Sequence, residues 1–481
     1  MKKNINVKNF LLTLVVFIST QSDFCLGQNY EVGGLLGPRT KTDILMIGND
    51  AENFYSIRID REKKYFYGSL ESYSISKMTK NWSAGFSPQE FDDKFSMFHG
   101  IYLTEAGVVY FYTRKGEMPN TIDLVQARFI TEGKGRWEGT VLFTLEDMKD
   151  WPEITIIQNE EKGIVIAGSE YLQSRLITDK VVKVVQLDPL LNIKFSAEAV
   201  LPEKSRFWNV FENDKNIFLL IKNKTPQSFQ KVISINTNSK EMKTHDLWML
   251  GNDKKNQNEL ILQSGFMKSD QEGNNVLCMK MTSSKIGGYN SMNGLGFVTF
   301  NSSGEVISRK EIYLPEEYMD GEKVQYNIDL ESFEIITNDT YKVNIENNVN
   351  VHNILIKNGK LEKMINFSRI TAIHDDVNIY YTKQILVDTK ERTRLIYNKT
   401  ATSIGGEDKY EKNFWKYVKG VYAEINEQGV VTEKDLKIEI GGVKNCQIQT
   451  TQAIILDNKD VITVAAKDED LYMIKIYTNK F

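Results

Sequence analysis

Three classes of residue are scarce in this 481-residue chain, and each scarcity excludes something. Eight prolines and no Pro/Ser-rich stretch leave no linker to divide the chain into separate domains. Three cysteines are too few for a disulfide framework, even in an oxidising compartment. Four histidines (His99, His245, His352 and His374) lie outside metal-ligand spacing of one another, so the sequence indicates no histidine-rich zinc or copper site. A net charge of −4 without a basic stripe excludes nucleic acid as the natural partner. Beyond the N-terminus no segment approaches the roughly 18 apolar residues of a membrane span. Short runs such as Ile164-Val-Ile-Ala167 and Ile217-Phe-Leu-Leu-Ile221 are strand-length.

Catalytic motifs are equally scarce. There is no Gly-x-Ser-x-Gly elbow, His-Glu-x-x-His pair or phosphate-binding glycine loop, and no cofactor is indicated. The pairs Gly33-Gly34, Gly287-Gly288, Gly405-Gly406 and Gly441-Gly442 are irregularly spaced, which argues against kelch repeats. Neither a sialidase-type Asp box nor a regular Trp-Asp ending is present. Asp270-Gln-Glu-Gly-Asn-Asn275 lacks the alternating ligands of a calcium loop and reads as a turn between strands.

The N-terminus differs in kind. Basic Met1-Lys-Lys-Asn-Ile-Asn-Val-Lys8 precedes apolar Phe10-Leu-Leu-Thr-Leu-Val-Val-Phe-Ile18, and Cys25-Leu-Gly27 then supplies small residues before Gln28. This is the layout of a secretory signal peptide over 1–27, with residues 28–481 as the exported domain and no membrane span after cleavage. Acylation at Cys25 is disfavoured, because Phe24 stands where a lipobox needs a small residue. Of the two remaining cysteines, Cys278 lies in an apolar strand and Cys446 near the last repeat, which predicts buried free thiols.

What the chain has in abundance is a recurring hairpin. An alternating strand runs into a polar turn at Tyr73–Trp82, Ala127–Gly133, Val185–Asn192, Ile233–Ser239, Val298–Gly304, Ile354–Gly359 and Ala423–Gly429. The spacing of roughly 48 to 68 residues is that of propeller blades. β-Branched and aromatic residues with period-two alternation divide most units into four strands. The C-terminal unit offers three, at Gln452–Leu456, Val461–Ala465 and Leu471–Ile476, so its outermost strand is expected from around Tyr30 to Leu36. The expectation is an all-β, single propeller of seven or eight four-stranded blades, eight favoured, its ring closed by the two terminal segments. The unit from Phe333 to Phe367 carries the weakest pattern. Short helical turns are expected at Pro315–Asp320 and Asp408–Trp415.

The signal peptide, the Gly27/Gln28 boundary, the Lys/Asn/Ile-rich strands and the strand–Asn–x–x–Gly–strand units resemble exported β-propeller proteins of Gram-negative bacteria. That resemblance spans about Gln28 to the C-terminus and implies a propeller and a location in the periplasm, in the outer envelope or outside the cell; it implies no activity. Candidate ligand-facing positions come from insertions between second and third strands. Ser284–Asn290 presents Tyr289, and Ser403–Tyr410 presents Tyr410 and continues to Trp415. His374-Asp375-Asp376 is the best isolated polar cluster, combining an imidazole with two carboxylates. Aromatic faces beside carboxylates suit a glycan or a protein partner, which points to a non-enzymatic binding or scaffold module. The alternative is a polysaccharide-active enzyme, hydrolase or lyase, using loop carboxylates over the central channel.

Overall fold

The computed structural model describes residues 29–39, 41–60, 68–86, 97–130, 136–146, 148, 152–159, 161–170, 181–202, 205–213, 215–223, 231–247, 260–283, 294–314, 329–346, 350–368, 371–374, 377–381, 385–403, 415–426 and 429–481. They form eight antiparallel blades. Blades 1 to 6 are plain four-stranded meanders over 42–86, 97–145, 152–200, 205–246, 260–313 and 329–368. Blade 6, whose pattern is weakest in sequence, is nevertheless complete. Blade 7 (371–436) is a six-stranded variant, and blade 8 joins 447–476 to the N-terminal strand Tyr30–Pro38.

Each recurring hairpin joins the third strand of its blade to the fourth, and local chemistry explains why it recurs. In four of them (Asp188, Asn236, Asn301 and Asn426) an Asn or Asp closes the turn with its own side chain. Asp188 Oδ1 accepts the Asn192 amide at 2.8 Å, Asn301 Oδ1 the Glu305 amide at 2.9 Å, and Asn426 Oδ1 the Val430 amide at 2.9 Å. A left-handed residue follows, either glycine (Gly304, φ 82; Gly429, φ 76) or a tolerated side chain (Leu191, φ 68).

The first strands are innermost. Thr42–Asn49 lies against both Met97–Thr104 and Gln447–Ile455, and Pro152–Gln158 against Ser205–Glu212. Because both faces of every blade are covered, central strands are apolar throughout instead of alternating. Ile217, Leu219 and Ile221 enter the cluster between blades 3 and 4, while Phe218 and Leu220 enter the one between blades 4 and 5. An apolar wedge of this kind fills each of the eight seams. A fully buried side chain in such a wedge contributes about 1.5–3 kcal/mol. Cys278 and Cys446 are buried free thiols within two of them.

Closure occurs between blades 8 and 1. Tyr30, Glu31 and Val32 pair with Ile476, Lys475 and Ile474, which makes Tyr30–Pro38 the missing outermost strand. Gly33 and Gly34 belong to this closure. The Gly34 amide donates to Met78 O at 3.2 Å, and a Cβ added to Gly33 would stand 2.7 Å from that same oxygen. Beneath them Glu71, fully buried, pairs with Arg58 at 3.2 Å, and Arg58 donates to Leu36 O at 3.1 Å. The seam between blades 7 and 8 is reinforced by residues 478–481: Arg394 donates to Asn479 Oδ1 at 3.0 Å, and Phe481 stacks on Tyr422 at 4.2 Å.

Among the described residues the seam between blades 6 and 7 has the smallest apolar wedge, with a polar network beside it. Lys342 and Asp388, 8% and 6% exposed, form an ion pair at 2.7 Å, and Lys342 also donates to Thr389 O. Asp388 further accepts from Ser332 (2.9 Å), Asn344 (2.8 Å) and Thr393 (2.7 Å), while Asn353 donates to Asn344 and Thr393.

Two substitutions test these seams by chemical denaturation. Gly33→Ala should cost about 1–3 kcal/mol by overpacking, whereas Gly34→Ala, with open space around it, should stay within about 0.5 kcal/mol. Asp388→Ala should cost about 3–5 kcal/mol by leaving Lys342 buried and unpaired, and adding Lys342→Met should recover part of that loss.

Candidate ligand-binding face

Strands alternate in direction, so all first-to-second and third-to-fourth connections lie on one face, and all others lie on the opposite face. On the first, the turn face, connections have two to five residues. On the second, the loop face, they run up to fifteen, and every connection longer than five residues belongs to it. The three longest are 247–259, 314–328 and 404–414. These join blade 4 to blade 5, join blade 5 to blade 6, and cross within blade 7.

The six candidate residues map onto this face through the strands that flank them. Tyr289 and Tyr410 fall in 284–293 and 404–414, outside the described residues, as do Asp375 and Asp376. His374 ends the strand Thr371–His374, and Trp415 opens the strand Trp415–Ile425; their side chains are outside the description. Five of the six thus belong to blade 7 and one, Tyr289, to blade 5. Trp415 corrects one expectation: it pairs with Thr402 in a sheet and is no part of a helix. The helical turns expected at 315–320 and 408–414 lie outside the described residues.

Blade 7 holds the His374 hairpin in an unusual position. Its first strand is split into Val377–Tyr381 and Ile385–Asp388, each pairing with part of Thr393–Ser403. Thr371–His374 pairs with the free side of Val377–Tyr381, which adds a strand inside the innermost one.

Sequence reading did not single out the residues on the inner strands of the other blades. In blade 2 the half-buried His99 shares a hydrogen bond with Thr113 Oγ1 at 3.2 Å. In blade 4 the Arg206 guanidinium lies 5.7 Å above the half-buried Trp208 ring. In blade 6 Glu331 is half-buried. These residues occupy strand bulges or flank them, and bulges become visible only once the register is known.

Burial pushes both His99 and His352 down to about 4, so both rings are neutral at pH 7. His245 also has a lowered pKa, chiefly from burial. It sits 3.2 Å from Ser234 Oγ, a nucleophile-and-base spacing, but on the turn face. Gly304 of the neighbouring blade covers that serine, since a Cβ there would stand 3.0 Å from Ser234 Cβ. The pair is a contact within blade 4 on which the next blade packs. Among the described residues no group of three or more His, Cys, Asp or Glu side chains could hold a metal ion. Among them, too, no helix is long and apolar enough to cross a membrane.

No protein-family model matches the chain, and no curated protein matches it in sequence. Solved structures do. The propeller of Dos1 shares 8% identity over 92% of this chain and 94% of its own, with a TM-score of 0.43. An ulvan lyase, described as a new family of polysaccharide lyase, shares 11% identity over 80% of this chain and 95% of its own, with a TM-score of 0.42. Prolyl oligopeptidase B from Galerina marginata shares 13% identity over 76% of this chain, with a TM-score of 0.38. The chain spans 46% and 47% of the prolyl peptidases it matches, about half their length. At these identities the likeness is one of fold.

His99 and His352 generate a pH signature. Their folded pKa values lie below the unfolded value near 6.5, so the unfolded chain binds more protons between about 6.5 and 4. The stability they allow is fully present above pH 6.5 and falls as pH drops towards 4. Thermal melts at pH 7.0, 5.5 and 4.5 should show a steeper loss for the natural protein than for His99→Gln/His352→Gln.

Proposed function

We propose that this protein is an exported β-propeller that acts as a non-enzymatic binding module, taking a glycan or a protein partner on its loop face. The observation that carries the reading is the division of labour between the faces. Short side-chain-capped turns fix one face, and every long connection emerges from the other. Binding surfaces of this kind place variable loops on a rigid scaffold. The candidate aromatics Tyr289, Tyr410 and Trp415 and the His374-Asp375-Asp376 cluster all belong to loop-face connections or their flanking strand ends. Export rests on the basic, apolar and small-residue layout of 1–27, and the resemblance to exported propellers of Gram-negative bacteria points the same way.

Expression of the full chain in a Gram-negative host, followed by fractionation and N-terminal sequencing, should recover a protein beginning at Gln28 outside the cytoplasm. A full-length cytoplasmic product would overturn export. The exported protein should retain at least one member of a polysaccharide panel, or one envelope protein in a pull-down, without releasing shorter products. Product release would replace the module by a polysaccharide-active enzyme working through loop carboxylates.

A further inference from the structure

Every blade ends in an outer strand paired on one side only, and the second edge of such a strand is a template for another. Most of these edges are blunted. Tyr30–Pro38 in blade 8 has two glycines, two register shifts and a terminal proline, and Met242–Asp246 in blade 4 is only five residues long. Blades 5 and 7 set three charges in a row along their outer strands, Arg309-Lys310-Glu311 and Glu433-Lys434-Asp435. Blade 6 combines Lys360, Glu362 and Lys363 with a bulge, and blade 2 interrupts its outer strand at Leu142. Blade 1 exposes Lys80, Asn81 and Ser83. Ile193–Val200 in blade 3 differs. Its one irregularity falls at Lys194, after which Phe195–Val200 pairs with Val181–Gln186 without a break. The strand holds neither glycine nor proline. It also exposes apolar side chains: Ile193 is 57% exposed and Val200 62%, and Leu190 in the preceding turn and Val181, the partner of Val200, are exposed too. Among the described residues no large apolar side chain is more exposed than Val200.

We propose that this edge binds the same edge of a second copy of the chain, giving a two-fold dimer joined by an antiparallel pair of Ile193–Val200 strands. The strand's own side chains set the register. Lys194, Ser196, Glu198 and Val200 are exposed, whereas Phe195 and Ala199 are buried in the wedge towards blade 4. With Ser196 opposite Ser196 of the second copy, Lys194 of each chain stands opposite Glu198 of the other. No other antiparallel register of this strand with itself brings those two charges together. Val200 then meets the Asn192–Ile193 corner of the second copy, beside the exposed Leu190 and Ile193. Opposite charges and apolar groups facing each other across two strands stabilise the pair, and main-chain hydrogen bonds supply the rest. Both charges keep their interactions within blade 3: Glu198 pairs with Lys183 at 3.2 Å, and Lys194 interacts with Asp188. These four are all the charged residues of 181–200, two of each sign, so two copies meet as neutral surfaces. A second copy is the occupant because the strand is complementary to itself. A two-fold axis perpendicular to the joined sheet reverses the direction of the channel, so the two loop faces point opposite ways. The dimer would link two ligands instead of gripping one surface.

The test is sedimentation velocity of the full exported chain from about 1 to 200 µM. One strand edge is a small interface, so the expected result is a monomer–dimer equilibrium that dissociates on dilution to about the micromolar range. Lys194→Glu and Glu198→Lys each set like charges opposite one another at two places in the dimer, and each should weaken association by about tenfold or more. An equimolar mixture of these two variants should associate again, because every charge of one then faces its opposite in the other. Val200→Lys should weaken the dimer as well, while Lys434→Glu, on the outer strand of blade 7, should change nothing. All four side chains are exposed, so the variants should fold, and thermal melts check that they do. A protein that stays monomeric over the whole range would overturn the proposal, and so would a dimer that survives both charge reversals. Failure of the mixture to associate would overturn the register, and growth beyond the dimer would overturn the closed two-fold geometry.

Discussion

Everything in this fold depends on one non-local pairing, that of Tyr30–Pro38 with Asp470–Ile476. A propeller blade has two faces to cover, and a ring covers them only if it closes. An open ring would expose both sides of the wedge between blades 8 and 1, Phe54, Tyr73 and Met78 on one and Ile462, Val464 and Met473 on the other. Closure also brings together groups more than 400 residues apart in sequence: Glu439 donates its amide to Tyr30 Oη at 2.8 Å, and Tyr477 Oη donates to Glu31 at 2.7 Å. The entropic cost of joining such distant segments grows only slowly with the length between them. What decides closure is local fit, and that is where Gly33 is needed. It lets the N-terminal strand approach the Met78 turn closely enough for the adjacent amide to find its carbonyl.

With the ring closed, the two faces answer to different physics. Turns of two to five residues have few conformations, and here Asn and Asp side chains stand in for missing backbone partners and select among them. Those turns also dock between blades: Asn216 Nδ2 donates to Ser302 O at 2.9 Å, Asn338 Nδ2 to Glu272 Oε1 at 2.6 Å, and Lys162 to Asn49 O at 3.1 Å. Turn-face residues thus hold neighbouring blades together as well as closing their own hairpins. Described loop-face residues share in that work, since Arg309 of blade 5 donates to Leu247 O and Asp246 O of blade 4. Long connections on a rigid scaffold are nevertheless where ligand contacts are commonly placed.

This division explains what was legible in the sequence. A short polar turn between two strands is a local event, so seven third-to-fourth-strand hairpins could be read directly from residues such as Asn301 and Gly304. The missing strand of blade 8 was legible by counting, and the common face of Tyr289, Tyr410 and Trp415 followed from strand order, whereas the sequence assigned His374 to no face. Bulges at His99, Trp208 and Glu331 were not legible, since a bulge is a mismatch of register between two strands and neither strand shows it alone. Gly100 and Gly265, each just after a bulge, were the available hint. The strand Thr371–His374 is four residues long and pairs on an axial edge, too short to carry a period. The role of Gly33 and Gly34 was hidden because their partner, Met78, belongs to another blade.

The polar seam between blades 6 and 7 acquires meaning from its position. Ser332 directly follows the bulged Glu331, and Asp388 ends the lower half of the split strand in blade 7. The hydrogen bonds from Ser332 and Asn344 to Asp388, and the Lys342 ion pair, therefore tie the first two strands of blade 6 to the turn end of the inner strand of blade 7, below the levels at which both inner strands become irregular. An apolar wedge resists separation but tolerates sliding, because burial depends on area and hardly on direction. Hydrogen bonds to a buried carboxylate fix direction as well, and a network with its members satisfied rigidifies what it joins. Where inner strands bend and an additional strand must be held at the channel edge, directional bonding is the property required. The polar groups Lys342, Asp388, Asn344 and Asn353 at this seam meet that requirement: they hold the blade 6 strand that carries the Glu331 bulge and the blade 7 strand that is split in a fixed relation to one another.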